Sequence, residues 1–292
     1  MSLKAVIAET RAYYCLECGI CTGTCPVSRY NPAYSPRAMV EGALLFDEGE
    51  TLCADDLWSC LTCGTCNLRC PSTVDYTAFI AALRGKARAL GREGTCTHAE
   101  TLTALAALQT VKDFRKPRAW LGDGAKVRTK GSTYYFSGCL PYLDVVFREI
   151  GFRGRAVGNA SVRLLNAAGI VPAVSEQEVC CGHDSYWTGD AGIVDYFARR
   201  NIAAIKKTGA KRVVFSCPEG YYMFKYVYPR MGIRVPFEIV HILTVLAAKV
   251  DKLGFAPVER RVTYHDPCRL VKFDDVFDAP RISSGCCTWD RR

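Results

Sequence analysis

The spacing of apolar residues divides the chain into a helical first part and an alternating second part. In the first part, apolar positions recur every three or four residues, which is typical of helices that bury one face. The pair Ser35-Pro36 gives a helix-start signal. No segment before residue 120 alternates as a strand does, and helices are predicted over residues 37–46, 77–90 and 99–114.

Beyond residue 132, short β-rich runs alternate with helical segments. This order is typical of an α/β layer with parallel strands. Strands are predicted over 133–137, 171–174, 212–216 and 261–265, and helices over 157–168, 193–208 and 240–250. The segment between the two parts is rich in glycine and charge. The sequence therefore predicts an α plus α/β protein, with a helical domain over 1–120, a linker over 121–132 and an α/β domain with a mostly parallel sheet over 133–292.

Composition adds an excess of cysteine to this picture. The chain has 292 residues, which is enough for two domains with their own cores, and 17 of them are cysteines. An odd number of cysteines at short spacings indicates metal sites rather than disulfides. No secretory signal is visible, and no apolar stretch is long enough to span a bilayer. We expect a protein of the reducing cytoplasm, with membrane association only through a partner.

The formal net charge of +9 overstates the basicity of the folded protein. If eight of the cysteines bind metal as thiolates, they contribute about −8 and the metal centres return about +4, which leaves roughly +5. The densest basic group, Arg84, Lys86, Arg88 and Arg92, is either a solvated face or a means of steering an acidic redox partner. No basic stripe interleaved with aromatic residues suggests nucleic acid.

Two cysteine motifs with identical spacing lie in the helical part. Each has the form C-x-x-C-x-x-C-x-x-x-C-P, and they run from Cys15 to Pro26 and from Cys60 to Pro71. Three thiolates at this spacing converge on three irons of a cubane, so the motifs predict two [4Fe–4S] clusters. Zinc is the alternative, but it usually takes paired C-x-x-C knuckles.

The fourth ligand of each cluster is predicted from two-cluster ferredoxins, where the cysteine before proline serves the other cluster. One cluster is then assigned to Cys15, Cys18, Cys21 and Cys70, and the other to Cys60, Cys63, Cys66 and Cys25. Cys53 and Cys96 stand outside this pattern, and we interpret both as small hydrophobic residues.

A second set of cysteines follows the predicted strands of the α/β part. Cys139, Cys217 and Cys268 each come after a strand, where functional groups of open α/β sheets gather. The pair Cys180-Cys181 precedes Gly182. Two adjacent cysteines cannot easily bond to each other, but they can reach two irons, or one metal and one substrate sulfur. The next residue, His183, is a further ligand or proton donor, or else a surface histidine.

The arrangement of Cys139, the Cys-Cys-Gly run and Cys217-Pro218 resembles the CCG domain of heterodisulfide reductase. The same domain occurs in iron–sulfur subunits of glycolate, lactate and anaerobic glycerol-3-phosphate dehydrogenases. Those proteins also join a two-cluster ferredoxin domain to CCG repeats, so the resemblance covers almost the whole chain. It implies a noncubane [4Fe–4S] cluster, or zinc, held by Cys139, Cys180, Cys181, Cys217 and Cys268, with Cys180 and Cys181 as catalytic residues.

The chain departs from the family pattern in two places. The closing C-x-x-C of the first repeat has Gly220 at its last position. A second repeat begins at Cys268, but Cys286-Cys287 follows after a short interval and Thr288 replaces the glycine. The second repeat is therefore incomplete, because it has been shortened or because the chain is a truncated product.

Three functions are compatible with these motifs. The first is an electron-transfer subunit of a heterodisulfide-reductase-like complex, in which a flavoprotein or hydrogenase-type partner supplies electrons for a thiol/disulfide substrate. The second is a relay in a flavin-dependent hydroxyacid or glycerol-3-phosphate dehydrogenase, delivering to a membrane quinone-reactive subunit. The third is a docking module with redox-inert cysteines or zinc. No Rossmann fingerprint or P-loop is present, and whether the chain is itself an enzyme stays open.

Overall fold

A computed structural model of the chain describes residues 2–45, 48–94, 100–256, 258–274, 276–283 and 287–289. The chain forms two compact units. The first comprises Met1–Leu105 and Asp184–Gly192, and the second comprises Ala106–His183 and Ile193–Arg292. The expected order of a helical part followed by an α/β part with a parallel sheet is confirmed.

The units differ from the predicted domain limits of 1–120, 121–132 and 133–292, because residues 106–132 pack in the second unit. Trp120 lies 6.2 Å from Tyr135 between ring centroids, and Ala125 and Val127 pack against the same core cluster. The glycine and charge of this segment suggest a solvated linker, but its apolar residues are partly buried.

The first unit is built from helices around one apolar core. The longest of these helices in the described residues, Tyr76–Ala89, is capped by Asp75, whose carboxylate accepts from the backbone N–H of Ala78 at 3.0 Å. Its buried residues include Phe79, Ile80 and Leu83. The helices that begin in the first part of the chain are α1 Leu3–Glu9, α2 Ile20–Gly23, α3 Pro26–Tyr30, α4 Pro36–Leu45, α5 Glu48–Cys53, α6 Thr65–Arg69, α7 Tyr76–Ala89 and α8 Thr101–Leu108.

The predicted helices 37–46 and 77–90 correspond to α4 and α7, whereas the one over 99–114 ends at Leu108. The basic group on α7 is not a solvated face throughout. Arg84 is buried, Lys86 pairs with Glu48 and Arg88 pairs with Glu93. Most of the positive charge that could attract an acidic partner is therefore buried or paired with a carboxylate.

The second unit has a three-stranded parallel sheet, with β1 Thr133–Phe136, β2 Arg212–Phe215 and β3 Glu238–His241 in that order. Helices cover both faces, as parallel sheets require. On one face, Tyr135 and Val214 pack with residues of α10 and α15; on the other, Phe136 and Phe215 pack with Phe224. The helices that begin in this part of the chain are α9 Leu140–Val146, α10 Gly154–Ala167, α11 His183–Trp187, α12 Ala191–Lys207, α13 Pro218–Tyr222, α14 Tyr228–Arg230, α15 Ile242–Ala247, α16 Val250–Leu253, α17 Cys268–Asp274 and α18 Asp278–Ser283. Of these, α11 belongs to the first unit apart from His183.

Three predictions for this part were wrong in detail. Residues 171–174 form only isolated bridges at Ala173, because Pro172 has no N–H for a continuous ladder. The predicted helix 240–250 begins as β3, and the helical turn starts only after His241. The predicted strand 261–265 corresponds to β4 Val258–Val262, which pairs with β5 Cys287–Trp289 in a separate sheet. Cys268 therefore does not follow a strand of the main sheet.

A buried ion pair fixes the turn after β1. The ammonium group of Lys116 pairs with the carboxylate of Glu178, and both side chains are at most 3% exposed. Lys116 also donates to Ser137 at 2.7 Å, while Glu178 accepts from Tyr134 at 2.6 Å and from the N–H of Gly138 at 2.9 Å. The network satisfies both charges and holds the residues just before Cys139.

Replacing one partner of this pair should destabilise the second unit. In Lys116→Met, the Glu178 carboxylate stays buried without its cation, and breaking such a pair costs about 3–5 kcal/mol. Anaerobic urea unfolding should show this loss. Arg199→Met removes one partner of the exposed Arg199–Asp195 pair and should leave the unfolding free energy unchanged. Equal losses in both variants would contradict the role of the buried pair.

Burial also makes His241 sensitive to pH. It lowers the pKa of His241 from 6.5 to about 4, so the folded protein keeps this side chain neutral where the unfolded chain binds a proton. The free energy of unfolding should therefore fall as pH drops from 6.5 to 4, by about 3 kcal/mol from this group. His241→Gln should lose that part of the pH slope, measured by urea unfolding at several pH values. His265→Gln, at an exposed histidine, should keep it.

Candidate iron–sulfur and cysteine-rich sites

The two cysteine loops of the first unit have matching backbones. Glu17 and Thr62, each just before the second cysteine of its motif, have φ angles of 52° and 51°. Gly19 and Gly64, each just after that cysteine, have φ angles of 75° and 73°. Left-handed conformations are uncommon for residues other than glycine, so their recurrence at equivalent positions indicates one specific winding of both loops.

One loop, with a cysteine from the other motif, encloses what we call the first cavity. Its lining includes all four cysteines assigned to one cluster, and this lining lies open to solvent on one side. Cys18 is exposed, and the intervening Leu16 and Ile20 are 70% and 43% exposed. The cysteines are Cys15, Cys18, Cys21 and Cys70.

The second cavity is lined by Cys25, Cys60, Cys63 and Cys66. Tyr34 and Tyr76, both buried, line it as well. Burial raises the pKa of the Cys60 and Cys66 thiols. Thiolates at these positions therefore need the positive charge of a metal, which deprotonates coordinating thiols.

The cysteines in each cavity match the four-cysteine ligand set of a cubane. Each cavity combines three cysteines of one loop with the cysteine that precedes proline in the other, Cys70 or Cys25. Among the described residues, no three His, Cys, Asp or Glu side chains approach closely enough to hold one metal ion. A cubane binds each of its four thiolates through a different iron, so the four cysteines must line one cavity.

The cysteines of the second unit gather beyond the carboxyl ends of two paired strands. Phe136 and Phe215 are register partners in β1 and β2, and Cys139 and Cys217 follow them by two or three residues. Hydrogen bonding to Cys180, burial, and the charges of Cys180, Cys217 and Cys139 raise the pKa of the Cys181 thiol well above its ordinary value. These four cysteines therefore act on one another electrostatically.

The Cys180-Cys181 turn is held by polar side chains that the sequence did not single out. Gln109 accepts from the N–H of Cys180 at 2.8 Å, Asn201 donates to the Cys180 carbonyl at 2.9 Å, and Tyr228 donates to the Cys181 carbonyl at 2.8 Å. Gly182 has a φ of 77°, and a Cβ there would lie 3.4 Å from the backbone of Val194. The glycine lets the turn pack closely against α12.

A charged cluster lies beside these cysteines. The Nε2 atom of His183 is 2.6 Å from Oε2 of Glu219, and Nε of Arg269 donates to the same oxygen at 3.0 Å. Burial raises the pKa of Glu219, but His183 and Arg269 outweigh it and the net pKa is lowered. Each residue follows a cysteine by one or two positions, which is the sequence signal that could have identified Glu219 and Arg269.

The remaining cysteines have different surroundings. Cys268 lies at the start of α17, and its neighbour Arg269 links that helix to α13, which follows Cys217. Cys53 is exposed, not buried as the sequence suggested. Cys96 and Cys286 lie outside the described residues, and Cys287 lies in β5.

No helix in the described part of the chain combines the length and the apolar character needed to cross a bilayer.

Comparison with known proteins agrees with these sites. Residues 11–74 match the 4Fe-4S dicluster domain, and residues 133–225 match the cysteine-rich domain termed CCG. The two matches cover both cavities and the first four cysteines of the second unit. The chain therefore has a ferredoxin-type domain with two [4Fe–4S] clusters, followed by a CCG domain consistent with an additional cluster.

Relatives resemble the chain over most of its length. One subunit of dihydromethanophenazine:CoB–CoM heterodisulfide reductase is 30% identical in Methanosarcina barkeri and 31% identical in Methanosarcina mazei, over 91% of this chain and 71% of each relative. One subunit of fumarate reductase (CoM/CoB) from Methanothermobacter marburgensis is 28% identical, over 91% of this chain and 53% of its own. These relatives are components of larger redox enzymes, which supports redox protein partners in general. The chain belongs to the family of these heterodisulfide reductase subunits, as an iron–sulfur protein built for electron transfer.

Proposed function

We propose that the chain passes electrons from a flavoprotein or similar donor, through the two cubane clusters, to a CCG centre that acts on a thiol/disulfide substrate. The observation that carries this proposal is the gathering of Cys139, Cys180, Cys181 and Cys217 beyond the carboxyl ends of β1 and β2. The names of the relatives, which refer to the CoB–CoM heterodisulfide, support a substrate of this class.

The proposed ligands follow the cavities. Cys15, Cys18, Cys21 and Cys70 hold one cluster, and Cys25, Cys60, Cys63 and Cys66 hold the other. Each cluster carries one electron at a time. Reduction of a disulfide consumes two electrons and two protons and gives two thiols, so two successive electrons must reach the CCG centre.

In the CCG domain, Cys139, Cys180, Cys181 and Cys217 are the proposed ligands of the further cluster, with Cys268 as an additional candidate. Gln109, Asn201 and Tyr228 fix the backbone of the Cys180-Cys181 turn, so its two side chains keep a defined direction. A further iron–sulfur cluster held by these cysteines would supply electrons and a binding site for a substrate sulfur. Cys180 and Cys181 are the proposed catalytic residues.

The ligand exchange between the motifs can be tested by iron content. A variant with Cys15, Cys18 and Cys21 all changed to Ala should keep the cluster of the second cavity. Its iron content should then be about four irons per chain, not counting any iron in the CCG centre. Adding Cys25→Ala should remove that cluster, because Cys25 lines the second cavity. Anaerobic purification with iron analysis and EPR of the reduced protein measures both.

The matched control is Cys70→Ala in the same background. Cys70 lines the first cavity, so its loss should leave the remaining cluster intact. If Cys70→Ala removed the cluster and Cys25→Ala did not, each motif would be supplying all four of its own ligands.

A second candidate is an electron relay from a flavin-dependent dehydrogenase towards a quinone-reactive subunit, with no chemistry at the CCG domain. Gly220, at the position of a family cysteine, favours it. A Cβ at Gly220 would lie 3.2 Å from the ring of Phe215, so a side chain at this position would press into the aromatic core. The centre then has one thiolate fewer than the family pattern provides.

EPR with a thiol or disulfide distinguishes the two functions. For disulfide chemistry, we expect about twelve irons per chain and a new signal after the thiol or disulfide is added. Cys181→Ala should abolish that signal, and Cys53→Ala, at an exposed cysteine outside the motifs, should leave it unchanged. About eight irons and no substrate-dependent signal would instead indicate a relay.

A further inference from the structure

Buried hydrogen-bond donors surround Cys60 in the second cavity. Its sulfur accepts from the N–H of Thr62 at 3.3 Å and is hydrogen-bonded to the hydroxyl of Tyr34. The Tyr34 oxygen lies 2.9 Å from the hydroxyl oxygen of Tyr76. Tyr34 is 1% exposed and Tyr76 is 3% exposed, so water does not compete for these bonds.

The direction of donation follows from the charge of a ligand thiolate. A thiolate has no proton to donate, so the hydroxyl of Tyr34 must donate to Cys60. The Tyr34 oxygen then accepts from Tyr76, which completes a chain of donation towards the sulfur. Such chains strengthen each bond by polarisation in a buried environment.

Arg84 adds a full positive charge beside the same cysteine. It is 5% exposed, and its guanidinium donates to the backbone carbonyls of Leu57 at 3.0 Å, Cys60 at 2.9 Å and Trp187 at 3.1 Å. Within the described residues, no carboxylate forms an ion pair with it. Its charge is therefore left to act on the Cys60 thiolate, with little screening by solvent.

The first cavity has a related arrangement in which the guanidinium is partly exposed and paired, because Arg37 lines the cavity and forms an ion pair with Glu41 at 2.8 Å. Cys70 accepts from the N–H of Val74 at 3.4 Å, and Cys21 accepts from the hydroxyl and the backbone N–H of Thr22. The Thr22 and Ser35 hydroxyl oxygens lie 2.8 Å apart, and this pair is only partly buried. Solvent also reaches this cavity, since Cys18 and Leu16 are exposed. Solvent access and hydrogen bonds to sulfur both raise the potential of an iron–sulfur cluster, because each stabilises the more negative reduced state.

We propose that Tyr34, supported by Tyr76, and Arg84 raise the reduction potential of the cluster in the second cavity. This proposal rests on the ligand sets given under the proposed function. The second cavity differs from the first in its hydroxyl pair, which is at most 3% exposed, and in its guanidinium, which has no carboxylate partner among the described residues, whereas Arg37 at the first cavity is paired with Glu41. One electron can then move from the first cavity to the second, where it adds one negative charge and removes one from the first, and no proton has to move.

The experiment is an EPR-monitored redox titration of the anaerobically purified holoprotein. Tyr34→Phe removes one hydroxyl and should lower one of the two cluster potentials while leaving the other unchanged. We expect at least a tenfold change in the reduced-to-oxidised ratio at a fixed potential, which is about 59 mV for one electron. Tyr34→Phe/Tyr76→Phe, which avoids leaving a buried hydroxyl unpaired, should give the same shift. The control is Tyr30→Phe at a tyrosine that is 84% exposed, and it should give none.

Arg84 provides a second, independent variant. Arg84→Gln removes the charge and should lower the same potential, whereas Arg84→Lys keeps the charge and should lower it less. Arg88→Gln, one turn further along α7, removes a partly exposed charge paired with Glu93 and should have little effect.

The proposal is overturned if neither Tyr34→Phe nor Arg84→Gln shifts a potential, or if both clusters shift equally. The iron content of the unaltered protein shows whether only the role of Tyr34 and Arg84 has failed or the proposed function as well. About eight irons outside the CCG centre with unchanged potentials would refute only the role of Tyr34 and Arg84. Fewer irons in the unaltered protein would refute the ligand sets themselves, and the proposal with them.

Discussion

Each cavity of the first unit is lined by cysteines from both motifs. Cys25 lies with the cysteines of the second motif and Cys70 with those of the first, so the two loops must lie close together. α2 and α6, which contain the third cysteine of each motif, lie in contact for this reason. The apolar core beneath, which includes Leu52, Leu57 and Phe79, keeps the loops in place.

The second unit meets a similar requirement with a parallel sheet. Because both faces of β1 and β2 are buried, their carboxyl ends are the natural place for reactive side chains. The buried pair of Lys116 and Glu178 then sets the turn before Cys139. The position of Cys139 therefore depends on charged side chains that lie outside the cysteine motifs.

The sequence predicted the cysteine sites better than their surroundings. Fixed spacing and the proline after the last cysteine are local signals, and the cysteines grouped from them line the same two cavities. Their assignment as ligands stays a prediction. The roles of Tyr34, Arg84 and Gln109 depend on contacts between residues far apart in the chain. Nothing in the sequence near them marks such contacts. β3 was missed for a related reason, since its four residues run directly into α15 and the apolar pattern continues across the boundary.

The return of Asp184–Gly192 to the first unit has a consequence for dividing the protein into fragments. A Cβ on Gly189 would lie 2.7 Å from the carbonyl of Arg84, so this segment is seated directly on α7. Its Trp187 carbonyl is also one of the three acceptors that hold the Arg84 guanidinium. A fragment ending at Leu105 would leave that donor without its acceptor and expose the helix surface that the segment covers. The first unit is thus not a detachable module that can be excised by a single cut.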